Sequence, residues 1–161
     1  MSRWHLPDEA ATQLLAQVLA AHQPNGAVVH LLGDLGAGKS TLARAWLRAL
    51  GVTGTVRSPT YTLVERYPVD GGEALHLDLY RIGDAGELDF LGLDDIAAAL
   101  WLVEWPERGA GALPAPHLQI ALAIDGIGRS AALVAGGAIG ADWLAAVESD
   151  PRLSSLPEPK P

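Results

Sequence analysis

The chain has 161 residues, 49% of them hydrophobic, with a formal net charge of −8 and a pI near 4.9. That length fits one domain with an ordinary core. The absence of cysteine excludes a disulfide framework, a thiolate zinc site and a catalytic thiol, and the acidity argues against tight direct binding of nucleic acid, whose affinity comes from neutralised phosphates.

The start, Met1 to Glu9, has no apolar targeting core. No run reaches the roughly 18–20 apolar residues that span a bilayer. The expectation is a cytoplasmic protein without membrane contact. Arg3 to Leu6 reads as a short edge strand. Asp8 to His22 reads as a helix, with Leu14, Leu15, Val18 and Leu19 on one face. After the Asn25-Gly26 turn, Ala27 to Leu32 is an apolar run typical of a buried strand. A glycine-rich loop, Gly33 to Gly38, leads into a helix from Lys39 to Leu50 that Gly51 ends.

Tyr61 to Tyr67 and Ala74 to Tyr80 read as a hairpin across the turn residues Pro68 to Glu73. Asp84 to Asp95 is acidic and helix-prone but broken by Gly86 and Gly92. Leu100 to Trp105 is a second buried strand, and Pro106 to Pro116 a loop. His117 to Ile124 and Ser130 to Ala135 form a second candidate hairpin, and Ala141 to Val147 a short helix. Residues 1–149 are read as one domain. Residues 150–161, with four prolines, are expected to be a disordered tail.

The strongest signal is Gly33-Asp34-Leu35-Gly36-Ala37-Gly38-Lys39-Ser40-Thr41, which matches the Walker A pattern G-x-x-x-x-G-K-[ST]. Gly36 and Gly38 let the backbone aim N–H groups at phosphate oxygens. The helix from Lys39 adds its positive end. Lys39 reaches the β- and γ-phosphates, and Ser40 offers a hydroxyl to Mg²⁺. Nine of the eleven basic residues are arginine; the two lysines are Lys39 and Lys160, the latter in the tail. A lysine here is therefore a poor candidate for accident.

A phosphate loop supplies binding; hydrolysis needs acids that support a metal and position water. Asp78, between Leu77 and Leu79, and Glu104, after Leu100-Trp101-Leu102-Val103, sit in apolar strand segments. A carboxylate there must be solvated, paired or facing a metal. Spacing leaves open which one holds Mg²⁺ and which one polarises water. Thr60, in Ser58-Pro59-Thr60, and Thr62 lie where nucleotide switches carry a threonine that senses the γ-phosphate. The only asparagine, Asn25, precedes the loop, so an Asn-Lys guanine-reading motif is absent and adenine is left by elimination. The five histidines, His5, His22, His30, His76 and His117, show no metal-ligand spacing and read as structural. Arg66, Arg81, Arg108 and Arg129 are candidate phosphate-neutralising groups, each more simply read as a surface residue. The acidic stretch from Asp84 to Asp95, with Leu88, Phe90, Leu91 and Leu93, reads as a solvated face that a partner could dock against.

The Walker A segment, Ser58-Pro59-Thr60-Tyr61-Thr62-Leu63-Val64-Glu65, His76-Leu77-Asp78-Leu79-Tyr80-Arg81 and Val103-Glu104-Trp105-Pro106 occur in this order. With Leu6-Pro7-Asp8-Glu9 and Glu87-Leu88 they closely resemble the TsaE (YjeE) family over residues 6 to 130. That resemblance implies an α/β P-loop NTPase fold, three-layered, with a mostly parallel central sheet plus antiparallel hairpins. It implies an ATPase of tRNA threonylcarbamoyladenosine biosynthesis that binds ATP or ADP with Mg²⁺ and is weak alone. Its partners would be TsaD and TsaB, with tRNA reached mainly through them, and its hydrolysis would reset the transfer complex.

Carried over by position, Gly36, Ala37, Gly38, Lys39, Ser40 and Thr41 would hold the phosphates. Ser40 and Glu104 would form the Mg²⁺ side, with Asp78 the other functional carboxylate and Thr60 in the switch-like segment. Glu9 and Arg129 would reach the nucleotide from outside the loop, and Trp105 would lie beside it. The family usually has threonine at Ser40, which keeps the hydroxyl. Two other readings stand beside this one: a small-molecule kinase, which would want an arginine-rich lid that the segment before Glu104 lacks, and a regulatory nucleotide switch with little turnover.

Overall fold

The computed structural model describes residues 1–157. Its strands are β1 (Ser2–Leu6), β2 (Ala27–Leu32), β3 (Val64–Val69), β4 (Gly72–Asp78), β5 (Ala98–Glu104), β6 (Leu118–Asp125) and β7 (Gly128–Ala135). Its α-helices are α1 (Glu9–His22), α2 (Lys39–Ala49) and α3 (Gly137–Glu148). Local chemistry explains most boundaries. Asp8 caps α1, accepting the Ala11 N–H at 2.9 Å. Asp70-Gly71 closes the first hairpin in a two-residue turn, tighter than the six-residue connection read from sequence, so its strands run further. The second hairpin turns through Gly126 and Ile127.

All seven strands join one sheet in the order β1-β7-β6-β2-β5-β4-β3. The inner four, β6, β2, β5 and β4, are parallel; β3, β7 and β1 pair antiparallel. The expected α/β class is present, but the sheet is mixed rather than mostly parallel. Both hairpins and the N-terminal strand add to the same sheet, so half of its pairings are antiparallel. β2 lies between β5 and β6, and ligands of open α/β sheets collect at the carboxyl ends of strands around such a point.

Strand alternation sorts the core. Val29, Leu31, Leu100, Leu102, Ile120 and Leu133 face α1, α2 and α3. Leu75, Leu77 and Val103 face the other way, against Ile82, Leu88 and Leu93. That second side is covered by 3-10 helices, Ala85–Leu91 and Leu93–Asp95, in the segment read from sequence as helix-prone but broken. Gly86 and Gly92 interrupt the segment, each costing a helix about 1 kcal/mol, and Gly92 ends the first turn at φ 64°.

The Pro-rich tail departs from expectation. Pro151–Ser155 is a 3-10 helix, and Leu153 is buried in the main core. Asp150 anchors it, contacting Arg152 and the His22 ring, each at 2.8 Å. Arg152, then His22, hold the Asp150 carboxyl well below the usual carboxylate range. Composition marked the segment as unstructured, but one leucine at the right distance from α3 supplies the burial that orders it. The part of the tail expectation that falls on residues 158–161 lies outside the described residues.

Candidate functional site

β2 delivers the chain to Gly33 at the carboxyl edge of the sheet, and the loop to Gly38 returns it into α2. Gly33 has φ 142°, and a Cβ there would collide with the Leu122 carbonyl oxygen. Gly38 is the N-cap of α2 at φ 106° and offers no side-chain cap. The first N–H groups of α2 are thus left for an anion.

A cleft of about 440 Å³ opens beside this loop, lined by Gly36, Lys39, Ser40, Thr60, Asp78 and Glu104, with Trp105 at its wall. The two carboxylates come from neighbouring parallel strands, β4 and β5, where Asp78 and Glu104 are register partners. Both are buried, at 8% and 3% exposure, which is costly for acids without partners. Ser40 Oγ donates to the Glu104 carboxylate, 3.1 and 3.2 Å from its two oxygens. His76 Nε2 lies 2.6 Å from Glu104 Oε2. Asp78 Oδ1 accepts the Tyr80 N–H at 3.0 Å.

Lys39 is also buried. Its ammonium donates to the Gly33 carbonyl and lies 3.7 Å from the centre of the Trp105 ring. Burial pushes its pKa down, against the opposing pull of Glu104 and Asp78. The Trp105 ring in turn packs at a tilt against Tyr80, with ring centres 5.0 Å apart.

On the other side of the loop a smaller cleft of about 210 Å³ is lined by Glu9, Thr12, Ala37, Thr41, Leu122 and Arg129. Arg129 bridges the two clefts. Its guanidinium donates to the carbonyls of Gly36 at 3.1 Å and Gly128 at 2.8 Å. Most of the residues singled out from sequence therefore gather around one loop, with Thr62 and Arg66 the exceptions. Thr60 lines the first cleft and shares a 2.7 Å hydrogen bond with Ser58. Thr62 is exposed and bonds Glu65 instead. Arg66 pairs with Glu73 at the hairpin, away from the loop.

Sequence reasoning passed over His76, grouped with the scattered histidines. Arg81, singled out from sequence as a candidate phosphate-neutralising group though more simply a surface residue, is exposed, lines the larger cleft and lies 4.7 Å over the Tyr61 ring. A signal for His76 existed: it stands two residues before Asp78 on a strand, and so on the same face. His22 and His117 do hold structural bonds, to Asp150 and the Val28 N–H.

The donor set suits one kind of cation. Among the described residues no cluster of three His, Asp or Glu side chains forms a metal cage. Ser40 with Glu104 and Asp78 offers only oxygen donors, a set that could hold a hard cation such as Mg²⁺, which keeps several waters of its own. No helix among the described residues is long and apolar enough to cross a membrane.

These features define an α/β protein with a strand–glycine loop–helix unit of Walker A pattern and two acids at adjoining strand ends. The chain belongs to the TsaE family: the model described as threonylcarbamoyl adenosine biosynthesis protein TsaE matches residues 6–131. It is 41% identical over 123 residues to the tRNA threonylcarbamoyladenosine biosynthesis protein TsaE of Haemophilus influenzae, covering 72% of this chain and 78% of that one. It is 36% identical over 122 residues to its counterpart in Bacillus subtilis, covering 74% and 76%. The crystal structure of YdiB from Bacillus subtilis superposes with a TM-score of 0.76 at 29% identity, covering 91% of this chain and 93% of that one.

Proposed function

We propose that this chain acts in tRNA threonylcarbamoyladenosine biosynthesis as a Mg²⁺-dependent ATP hydrolase that resets the TsaD–TsaB threonylcarbamoyl-transfer complex. Family membership supports the pathway. The observation that carries the chemistry is the Ser40–Glu104 contact, beside Lys39 and Asp78 in one cleft.

In this reading the α2 N-terminus and the loop N–H groups bind the phosphates. Lys39 exchanges the Gly33 carbonyl and the Trp105 ring for β- and γ-phosphate oxygens. Ser40 and Glu104 would hold Mg²⁺, and the ion would supply charge neutralisation at the phosphates. Asp78, free of Ser40 and His76, orients the attacking water. Glu9, Thr41 and Arg129 hold the nucleoside end of ATP or ADP in the smaller cleft. Thr60 senses the γ-phosphate. The net charge of −8 fits a subunit that leaves tRNA to its partners.

The test is ATP hydrolysis by the chain alone, with TsaD–TsaB, and with tRNA added. Stimulation by the partners supports the reading. Rapid phosphoryl transfer to a small metabolite, or no hydrolysis in any mixture, overturns it.

A further inference from the structure

The geometry points to His76 as a positioning residue: a buried imidazole on β4 that holds the Glu104 carboxylate of β5 against Ser40. This inference rests on the Mg²⁺-dependent reading of the site and assigns a role to a side chain that reading leaves unused.

His76 and Glu104 are 2% and 3% exposed, so their contact is shielded from water. An ionised carboxylate only accepts hydrogen bonds, so at 2.6 Å the Nε2–H of His76 donates to Oε2. His76 Nδ1 is buried too and has no hydrogen-bond partner among the described residues. The imidazole's one polar contact is Glu104.

Packing does not account for that choice. His76 sits among strands whose other buried positions are Leu75, Leu77 and Leu102. An aliphatic side chain there would leave no unmatched nitrogen, whereas the imidazole leaves one in a dry place. What the imidazole adds is direction. Glutamate has three rotatable bonds, and Glu104 receives side-chain hydrogen bonds only from Ser40 and His76 among the described residues. Ser40 is itself committed to the metal side, so His76 is the holder that chemistry at the phosphates does not occupy. Partners that orient an acid near a metal in this way are worth about 10–100-fold in metal affinity or activity.

Two variants of the full chain test this. His76→Leu removes the donor at similar volume, and His76→Gln keeps an N–H near the position of Nε2. Fluorescent ADP is titrated in EDTA and against Mg²⁺, and the nucleotide-free variants are crystallised. His76→Leu is expected to bind ADP normally without Mg²⁺, to need about 10–100-fold more Mg²⁺ for its tighter binding, and to show Glu104 turned away from Ser40. His76→Gln is expected to recover most of the Mg²⁺ response. Wild-type Mg²⁺ response in His76→Leu, an unmoved Glu104, or a His76→Gln as impaired as His76→Leu would each overturn the proposal. If His76→Leu does not fold, His76→Met makes the same comparison. Should the wild-type chain show no Mg²⁺ response, the functional reading fails by itself, and the nucleotide-free structures still decide whether His76 orients Glu104.

Discussion

The ammonium of Lys39 lies 3.7 Å from the centre of the Trp105 ring, and Trp105 holds that position through a left-handed backbone at φ 56°. A non-glycine residue is uncommon there. The conformation turns the indole back over the loop directly after β5. In the proposed nucleotide-bound state the phosphates would draw Lys39 away from the ring, and the indole would change environment. Mg·ADP is expected to change the protein's tryptophan emission, and Trp105→Phe is expected to abolish that change. A response that persists in Trp105→Phe would contradict the exchange.

Lys39→Ala is expected to abolish ATP hydrolysis while leaving the circular dichroism spectrum unchanged. The lysine contacts the loop and one ring, and no strand pairing depends on it. Wild-type turnover in this variant would remove the basis for the assignment.

The same lysine gives a pH dependence. Burial lowers its pKa below the ordinary 10.5 in the folded chain. Between the lowered value and 10.5 the unfolded chain binds more protons, so this group's contribution to stability rises with pH in that window. Below it the amine is charged in both states and the full burial cost applies. Wild-type stability measured against Lys39→Met is therefore expected to rise as the pH climbs toward 10.5, read from urea midpoints at constant ionic strength. A fall would mean that the amine is not desolvated.

Ser40→Ala is expected to slow hydrolysis by on the order of 10²-fold, the size of losing one preorganised group at a reacting centre. Ser40→Thr keeps the hydroxyl and is expected to stay within a few-fold of wild type. Equal loss in both would place the effect in packing.

Leu153→Ala is expected to cost about 2–5 kcal/mol in urea unfolding, the range for a buried leucine replaced by alanine. An effect near zero would mean that the docked 3-10 helix does not belong to the cooperative core.

Much of the fold was legible because its signals are local. Apolar runs marked β2 and β5, Asp8 marked the start of α1, and the Asp70-Gly71 and Asp125-Gly126 pairs marked both hairpins. The acidic segment around Gly86 was read as helix-prone but broken by its two glycines, and it forms only 3-10 turns. Composition misled at the tail, because prolines count in the average and Leu153 does not.

The sequence by itself determined the Walker A pattern, since that segment is contiguous and its glycines, lysine and hydroxyl lie within a few residues of one another. It also marked Asp78 and Glu104 as acids in apolar strands. Only the tertiary structure decided that those acids come together beside the loop. Asp78 and Glu104 are 26 residues apart in the chain, and the register of β4 against β5 makes them neighbours. Strand register is a long-range property, specified by packing on both faces of the sheet rather than by any local pattern. That register, with α2 packed against the sheet, sets Ser40 on one side of Glu104 and His76 on the other.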